Sequence, residues 1–188
     1  MKTLSLAYLS VLIACVSVKA GEKSRPYQGK VHEIPGLIEA EHYDEGKAGV
    51  AYADVDEQNR GADYRESTQV DIEKRSDASN GHGIGWTKKG EWVAYSVEVK
   101  EPGVYRIEMP VASKKQGGIF HIEFNGKDIT GPISVPDTGS WQKLETITHK
   151  TKRIAYPGRF VMKVLMDSEG PSKSIADIDY FKFVKQGK

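Results

Sequence analysis

The chain has 188 residues, and its basic and acidic residues nearly balance, which leaves a formal net charge of +1. Lysine and glutamate are interspersed, so the sequence has no basic patch of the kind that nucleic acid or an anionic membrane surface requires, and we expect neither partner. Cys15 is the only cysteine, which excludes an intrachain disulfide. A folded domain of this chain must therefore depend on its core or on a bound ion.

The first 20 residues have the pattern of a signal peptide. An apolar run from Leu4 to Ala14 lies between two lysines and is too short to cross a bilayer as a helix. Cleavage after Ala20 would release a secreted or extracellular protein with no transmembrane segment. Alternatively, Leu12–Cys15 resembles a bacterial lipobox, and acylated Cys15 would then anchor a surface lipoprotein. Both interpretations predict export from the cytoplasm.

A short polar segment separates this signal from the folded part. Residues 21–34 have no apolar period and are predicted to form a polar tether before a single domain over residues 35–185. The first predicted strand is Gly36–Glu41. Its alternation places two apolar residues on one face and two glutamates on the other (Ile38 and Ala40; Glu39 and Glu41).

The pattern of the remaining chain predicts many short strands. Alternation of apolar and polar residues is clearest in Val93–Val99, and Asn125-Gly126 supplies the residues that a tight hairpin needs at positive φ. No segment has a convincing helical period. Strands at this spacing, separated by turn residues, predict an all-β fold, either a sandwich or a barrel.

Two tryptophans follow segments of small residues. Three glycines at alternate positions lead to Trp86, and Asp137-Thr-Gly-Ser leads to Trp141. A single tryptophan in such a position is about as often part of a core as part of a site. Two rings on loop-like segments indicate the walls of a cleft.

Two pairs of acidic residues stand out near the ends of the folded part. Glu39 and Glu41 project to the same side of a strand, and a hard cation with oxygen ligands such as Ca²⁺ would relieve their repulsion. Asp177 and Asp179 lie within an apolar run. On spacing alone, solvated carboxylates on an edge strand are the favoured interpretation of Glu39 and Glu41, and for Asp177 and Asp179 spacing does not decide between solvation and a function.

Four motifs together resemble a known family. They are Ile38-Glu-Ala-Glu41, Gly83-Ile-Gly-Trp86 with Gly90-Glu-Trp92, Thr138-Gly-Ser-Trp141 and Ile178-Asp-Tyr-Phe181. In this order and at these spacings the sequence is similar to carbohydrate-binding modules of family 6. The resemblance extends from about residue 35 to residue 184.

The resemblance implies a β-sandwich of jelly-roll type with adjacent first and last strands and a sugar cleft in the loops at one end. The residues that stack on sugar in the family correspond to Trp86 and Trp141. Its structural Ca²⁺ corresponds to Glu39, Glu41 and Asp179, with a backbone carbonyl from residues 59–61. Where the family usually has a sugar-binding asparagine, this chain has Asp177, which we expect to accept hydrogen bonds from the sugar. Two tyrosines of the segment 50–72, Tyr52 and Tyr64, are expected to pack rather than extend the cleft.

These expectations describe a non-catalytic binder of a polysaccharide or oligosaccharide, which holds a chain end between two tryptophans. The chain as given has no catalytic domain, so an associated carbohydrate-active enzyme would be a separate chain, and we expect a monomer. A small glycosidase or lyase is the alternative, but the carboxylates are mostly assigned to the cation, and His82 and His121 belong to no recognisable catalytic motif. A surface adhesion module is the third possibility.

Overall fold

A computed structural model describes residues 22–61 and 64–187 of the chain. The predicted signal peptide and Cys15 lie outside these residues. The described part contains a short 3₁₀ turn and fourteen strands, and no α-helix. The strands are β1 (His32–Ile34), β2 (Gly36–Glu39), β3 (Tyr52–Ala53), β4 (Ile72–Lys74), β5 (His82–Ile84), β6 (Trp92–Val99), β7 (Tyr105–Ala112), β8 (Ile119–Phe124), β9 (Lys127–Asp128), β10 (Ile133–Ser134), β11 (Glu145–Lys150), β12 (Gly158–Ser168), β13 (Asp177–Ile178) and β14 (Tyr180–Lys185).

The strands form two sheets of seven. In the first sheet the order is β1-β6-β12-β8-β10, with β3 beside β6 and β9 beside β8. In the second sheet it is β2-β14-β7-β13-β5-β4, with β11 beside β7. The predicted all-β sandwich of jelly-roll type is therefore confirmed.

The core lies between the sheets because each long strand alternates inward apolar residues with outward polar ones. In β6, Tyr95 and Val97 are fully buried while Ser96 and Glu98 face outward and are partly exposed. Tyr95 packs edge-on against Phe181 of β14, with ring centroids 5.9 Å apart. The largest side chains of both sheets thus meet in one cluster, which fixes the relative position of the strands that carry the site.

The segment predicted as a tether differs from that prediction. Residues 32–34 form β1, which pairs in parallel with the end of β6, and Ile34 is fully buried. Further upstream, the backbones of Arg25 and Glu45 exchange two hydrogen bonds of 2.9 and 2.7 Å. The tether prediction is corrected for these residues, since the fold begins before residue 35.

The first strand of the predicted domain lies beside the last strand, as the family resemblance implied. β2 pairs antiparallel with β14, with Glu39 opposite Tyr180, and the amide of Ala40 donates to the carbonyl of Asp179 over 2.9 Å. This pairing places the acidic residues of both chain ends at the same edge of the second sheet.

None of the described helical turns is long and apolar enough to cross a membrane.

Candidate functional site

A cavity of about 360 Å³ opens at the end of the second sheet where β4, β5 and β13 lie side by side. Its lining includes two tryptophans, two carboxylic acids and two lysines (Trp86, Trp141, Glu73, Asp177, Lys88 and Lys173). The structure thus brings three sequence-predicted residues, Trp86, Trp141 and Asp177, to one cavity.

Trp86 is held in the cavity by the residue that follows it. Its own backbone has φ of 49°, a left-handed conformation that is costly for a bulky residue, and its side chain is 41% exposed. The buried Thr87 hydroxyl donates to the carbonyl of Ala176 and accepts from the Ala176 amide, over 2.7 and 3.0 Å. Ile175 and Ser174 both donate to the Thr87 carbonyl. These bonds hold an otherwise unfavourable turn and leave the indole open to solvent.

Trp141 follows a turn that is stabilised by its own side chains. Oδ1 of Asp137 accepts from the amide of Gly139 over 2.8 Å, and Gly139 has φ of 83°, which glycine adopts at little cost. The buried hydroxyl of Thr138 donates to the carbonyl of Ser113 and accepts from its amide. The segment before the ring is therefore held by hydrogen bonds to Ser113, the residue that follows β7.

The floor of the cavity is an ionic cluster around Arg75, whose side chain is only 2% exposed. Its NH1 group lies 2.6 Å from Oε2 of Glu73 and 3.0 Å from Oδ2 of Asp177. Gly83 and Gly85 leave the space for this cluster: a Cβ on Gly85 would lie 3.0 Å from Oδ1 of Asp177, and one on Gly83 would lie 3.4 Å from Cδ of Arg75. The alternate glycines before Trp86 therefore make room for charged side chains below the ring.

Asp177 lies where the family resemblance placed it, but its surroundings differ from those expected of a freely accepting carboxylate. Burial, followed by the negative charge of Glu73, raises the pKa of Asp177 to about 8, although Arg75 acts in the opposite direction. Glu73 and Arg75 were not predicted from the sequence. The signal for them is the run Asp71-Ile-Glu-Lys-Arg75, in which three charged residues at alternate positions fall on one face of an extended chain.

The carboxyl groups predicted to hold calcium, those of Glu39, Glu41 and Asp179, lie near the edge where β2 meets β14. Ser79 joins two of them, because its hydroxyl oxygen lies 2.7 Å from Oε2 of Glu39 and 3.0 Å from Oδ1 of Asp179 and can donate to either. The amide of Asn80 donates to Oε1 of Glu41 over 2.8 Å. Within residues 22–61 and 64–187, no three acidic, histidine or cysteine side chains are arranged to hold a metal ion directly.

The chemistry of these three groups nevertheless suits a hard cation. Glu41 is fully buried, and its Oε2 atom has no hydrogen-bond partner in the described structure. Burial raises the pKa of Glu41 to about 7, with further contributions from the charges of Glu39 and Asp179. Burial also raises the pKa of Glu39, and the charge of Asp179 adds to that effect. An orphaned buried oxygen among mutually repelling carboxylates is the donor set that Ca²⁺ prefers.

The backbone segment 59–61, expected beside this cation, makes its hydrogen bonds elsewhere. Oδ1 of Asn59 accepts from the amide of Ile72, and the Arg60 amide donates to Asp71. Ser79 and Asn80 contact the carboxylates. The bonds of segment 59–61 involve a side-chain oxygen and an N–H group, so the expected ligand, a backbone carbonyl from residues 59–61, stays a prediction. Tyr52 is buried in the core, and the Tyr64 ring stacks on His82 with centroids 4.5 Å apart, which is consistent with packing roles.

The fold and the cavity define a β-sandwich binding module with an aromatic-walled site at one end. The family described as carbohydrate binding module (family 6) matches residues 60–185, more than half of the chain. The chain therefore belongs to carbohydrate-binding module family 6.

Two curated proteins are similar to part of the chain. The clotting factor G alpha subunit of Tachypleus tridentatus is 39% identical over 88 residues, 46% of this chain and 13% of that protein. Beta-agarase AgaA of Microbulbifer thermotolerans is 29% identical over 108 residues, 56% of this chain and 24% of that protein. The chain thus matches less than a quarter of the length of these relatives.

The fold is also that of solved family 6 modules. A β-1,3-glucan binding module from Bacillus halodurans superposes with a TM-score of 0.61 and 24% identity, over 82% of this chain and 98% of that one. The C-terminal module of the laminarinase LamC from Zobellia galactanivorans gives a TM-score of 0.56 and 25% identity, over 79% and 98%.

Proposed function

We propose that the chain binds a polysaccharide or oligosaccharide without cleaving it, and that its cavity holds one sugar ring between Trp86 and Trp141. The observation that carries the proposal is that these two rings and Asp177 line one cavity in a member of a carbohydrate-binding family. A sugar ring has apolar C–H faces and a polar rim, so it suits aromatic walls above a polar floor. A ring enclosed on both faces favours a chain end over an internal unit.

The chemistry of the cavity implies weak binding. Covering about 100 Å² of each apolar sugar face contributes roughly 2.5 kcal/mol per ring. Loss of rotational freedom and desolvation of hydroxyl groups offset part of this gain. We therefore expect dissociation constants of about 10 μM to 1 mM.

The floor of the cavity argues against glycoside hydrolysis. Retaining glycosidases hold their two carboxyl groups about 5 Å apart, and inverting ones hold them further apart. The carboxyl groups of Glu73 and Asp177 are close enough to hydrogen-bond each other, and both lie on one nitrogen of Arg75. Held in this way, they suit recognition of hydroxyl groups better than attack on a glycosidic bond.

Ca²⁺ is proposed as a structural ion on Glu39, Glu41 and Asp179. The orphaned Oε2 atom of Glu41 supports this assignment, and the ion would supply charge neutralisation there. It would compete with Ser79 for oxygen atoms of Glu39 and Asp179. Export, by secretion or through lipid-modified Cys15, completes the proposal because such a polysaccharide would lie outside the cell. A carbohydrate-active enzyme on a separate chain is the proposed partner, and one relative is itself named as an agarase.

Calorimetric titration of the whole chain with laminarin, barley β-glucan, cello-oligosaccharides, xylan and agarose tests the function. Each mixture is assayed for new reducing ends and for unsaturated products. We expect saturable binding to at least one neutral polysaccharide and no product. Product formation would make the chain an enzyme, and absence of binding to the whole panel would contradict the proposed function.

A further inference from the structure

We propose that Arg75 is a positioning residue of the sugar cavity, which holds the two carboxyl groups of the floor and, through Asp77, the segment that follows Trp141. The inference deepens the proposed sugar binding and rests on it. Its geometric part concerns side chains and amides that are held in the protein without sugar, so that part can be tested independently.

The guanidinium of Arg75 fixes both carboxyl groups of the floor at once. Its NH1 group contacts one oxygen of each, Oε2 of Glu73 at 2.6 Å and Oδ2 of Asp177 at 3.0 Å. Glu73 comes from β4 and Asp177 from β13, with β5 between them. One nitrogen therefore sets the rotation of two side chains from different strands.

The other side of the same guanidinium reaches the wall of the cavity. Nε and NH2 of Arg75 donate to the two oxygens of Asp77, both over 3.0 Å, in the paired geometry that is specific to arginine and carboxylate. Oδ2 of Asp77 also accepts from the amide of Leu144 over 3.2 Å. Leu144 lies three residues after Trp141, so the position of that segment depends on the same cluster.

A different cation or a neutral side chain could not replace this arrangement. A lysine ammonium is a single point charge and lacks the planar fork that contacts three carboxyl groups in fixed directions. A neutral residue would leave the carboxylates of Glu73 and Asp77 without their cation in a partly buried environment, and Asp177 without a donor to its Oδ2 atom. Asp177, which stands where the family usually has asparagine, thus depends on Arg75 for its place in the floor.

The test compares Arg75→Met and Arg75→Lys with Asp77→Ala, which removes the acceptor of the Leu144 amide and leaves the contacts of Arg75 with the floor in place. Arg106→Met is the control, because Arg106 also pairs with a carboxylate, Glu108, but lies on β7 outside the cavity. Readouts without sugar are the indole N–H resonances of Trp86 and Trp141 and hydrogen exchange at the Leu144 amide. Affinity is measured with laminarin, xylan and agarose, and melting temperature is followed in parallel.

We expect Arg75→Met to weaken binding about tenfold or more, to shift the Trp141 resonance and to accelerate exchange at Leu144, with Trp86 much less affected. Arg75→Lys should not rescue these effects. Asp77→Ala should alter Trp141 and Leu144 alone, which keeps the test informative if Arg75→Met fails to fold.

Two results would overturn the inference. One is a folded Arg75→Met or Arg75→Lys protein with a lower melting temperature but unchanged affinity, Trp141 resonance and Leu144 exchange, which would give Arg75 a role in stability alone. The other is an Asp77→Ala protein with unchanged Trp141 and Leu144 signals. If the unmodified protein binds no member of the whole panel used to test the function, the proposed function fails, whereas the resonance and exchange data still decide the role of Arg75.

Discussion

Trp86 is a large apolar residue that stays exposed to solvent although its backbone adopts an unfavourable left-handed conformation. Its φ of 49° is sustained by the buried hydrogen bonds of Thr87, while the ring itself remains 41% exposed. A ring in the core would show the opposite pattern, with ordinary backbone angles and a fully covered side chain. The conformation is therefore consistent with a ring that is presented to a ligand.

Replacing either ring should weaken sugar binding with little change in stability. Trp86→Ala and Trp141→Ala each lose about 2 kcal/mol or more of binding free energy, which is about 30-fold in affinity and moves the expected dissociation constant to about 0.3–30 mM or weaker. Calorimetric titration measures the loss, and thermal melting checks the fold. Tyr156→Ala is the control, because Tyr156 is 75% exposed and lies outside the cavity. A variant whose free energy of unfolding falls by about 3–5 kcal/mol, and which still binds sugar, would show that the replaced ring belongs to the core and not to the site.

The residues of the site differ in how far the sequence could predict them. The small residues before Trp86 and Trp141 mark loops that hold rings, and the family resemblance assigned both to one cleft. Arg75 could not be assigned to the cavity in this way, because its contact with Asp177 joins residues 102 positions apart that only the folded sheet brings together. A charged residue beside a short strand looks solvated until its distant partners are known.

At the scale of elements, β5 is the strand that joins the core to the cavity. Ile84 packs inward, while Gly83 faces the Arg75 cluster and the neighbouring strand β13. The absence of a side chain at position 83 allows β13 to approach closely, since a Cβ there would lie 2.8 Å from the carbonyl oxygen of Ile178. The close pairing of β5 and β13 in turn fixes the position of Asp177, which lies on β13, in the floor of the cavity.

Gly83→Ala should therefore lower both stability and affinity. We expect a destabilisation of about 1–3 kcal/mol, typical of overpacking, together with weaker sugar binding because β13 and Arg75 have to shift. Thermal melting and titration with the best-bound polysaccharide measure the two effects. Gly187→Ala, where an added Cβ meets no atom within 4 Å, serves as the control. An unchanged melting temperature for Gly83→Ala would contradict the close approach of the two strands.

The outer face of the first sheet carries a pH-sensitive contact between β8 and β12. Nδ1 of His121 lies 2.8 Å from Asp167, and Nε2 lies 3.3 Å from Glu123. Burial lowers the pKa of His121, but the hydrogen bonds and charges of Asp167 and Glu123 outweigh it, so that the pKa is raised above its ordinary value. A raised folded-state pKa means that this contact stabilises the protein fully below the unfolded pKa of about 6.5 and is lost as pH rises through the folded value.

The melting temperature of the protein should thus exceed that of His121→Gln by more at pH 5.5 than at pH 9. Differential scanning calorimetry at both pH values gives the comparison. His149→Gln is the matched control, because His149 contacts the carbonyl of Thr130 and no carboxylate. An equal difference at the two pH values would mean that the charge of His121 does not contribute.

Among the elements, those with a local signal were predictable and those defined by a distant partner were not. Asn125 and Gly126 form the hairpin turn at φ of 49° and 76°, and the sequence pair alone is enough to predict it. Strand β1 has three residues and no alternation of its own, and it exists because β6, more than 60 positions later, offers an unpaired edge. A short parallel strand of this kind has no local signal to detect.

For the whole molecule, the Ca²⁺ ion proposed on the three carboxylates near the edge of the second sheet would couple stability to a cation. Removal of Ca²⁺ with EDTA should lower the melting temperature by roughly 5 °C or more when the ion is initially present at about 100 times its dissociation constant. Glu41→Gln should show a much smaller response, because the buried charge that requires the ion is gone. Metal content by mass spectrometry accompanies the melting curves. Identical curves with and without EDTA, and no metal in the purified protein, would remove the calcium assignment.

The short strands near the start of the fold also determine which N-terminal truncations the protein tolerates. β1 and β2 cover β6 and β14, and the family match begins only at residue 60. A recombinant fragment that starts there would lack both, as well as β3, and would present the open edges of two long strands to other molecules. Such a fragment is expected to form oligomers or precipitate on expression, whereas one that starts at residue 22 retains its own edge protection.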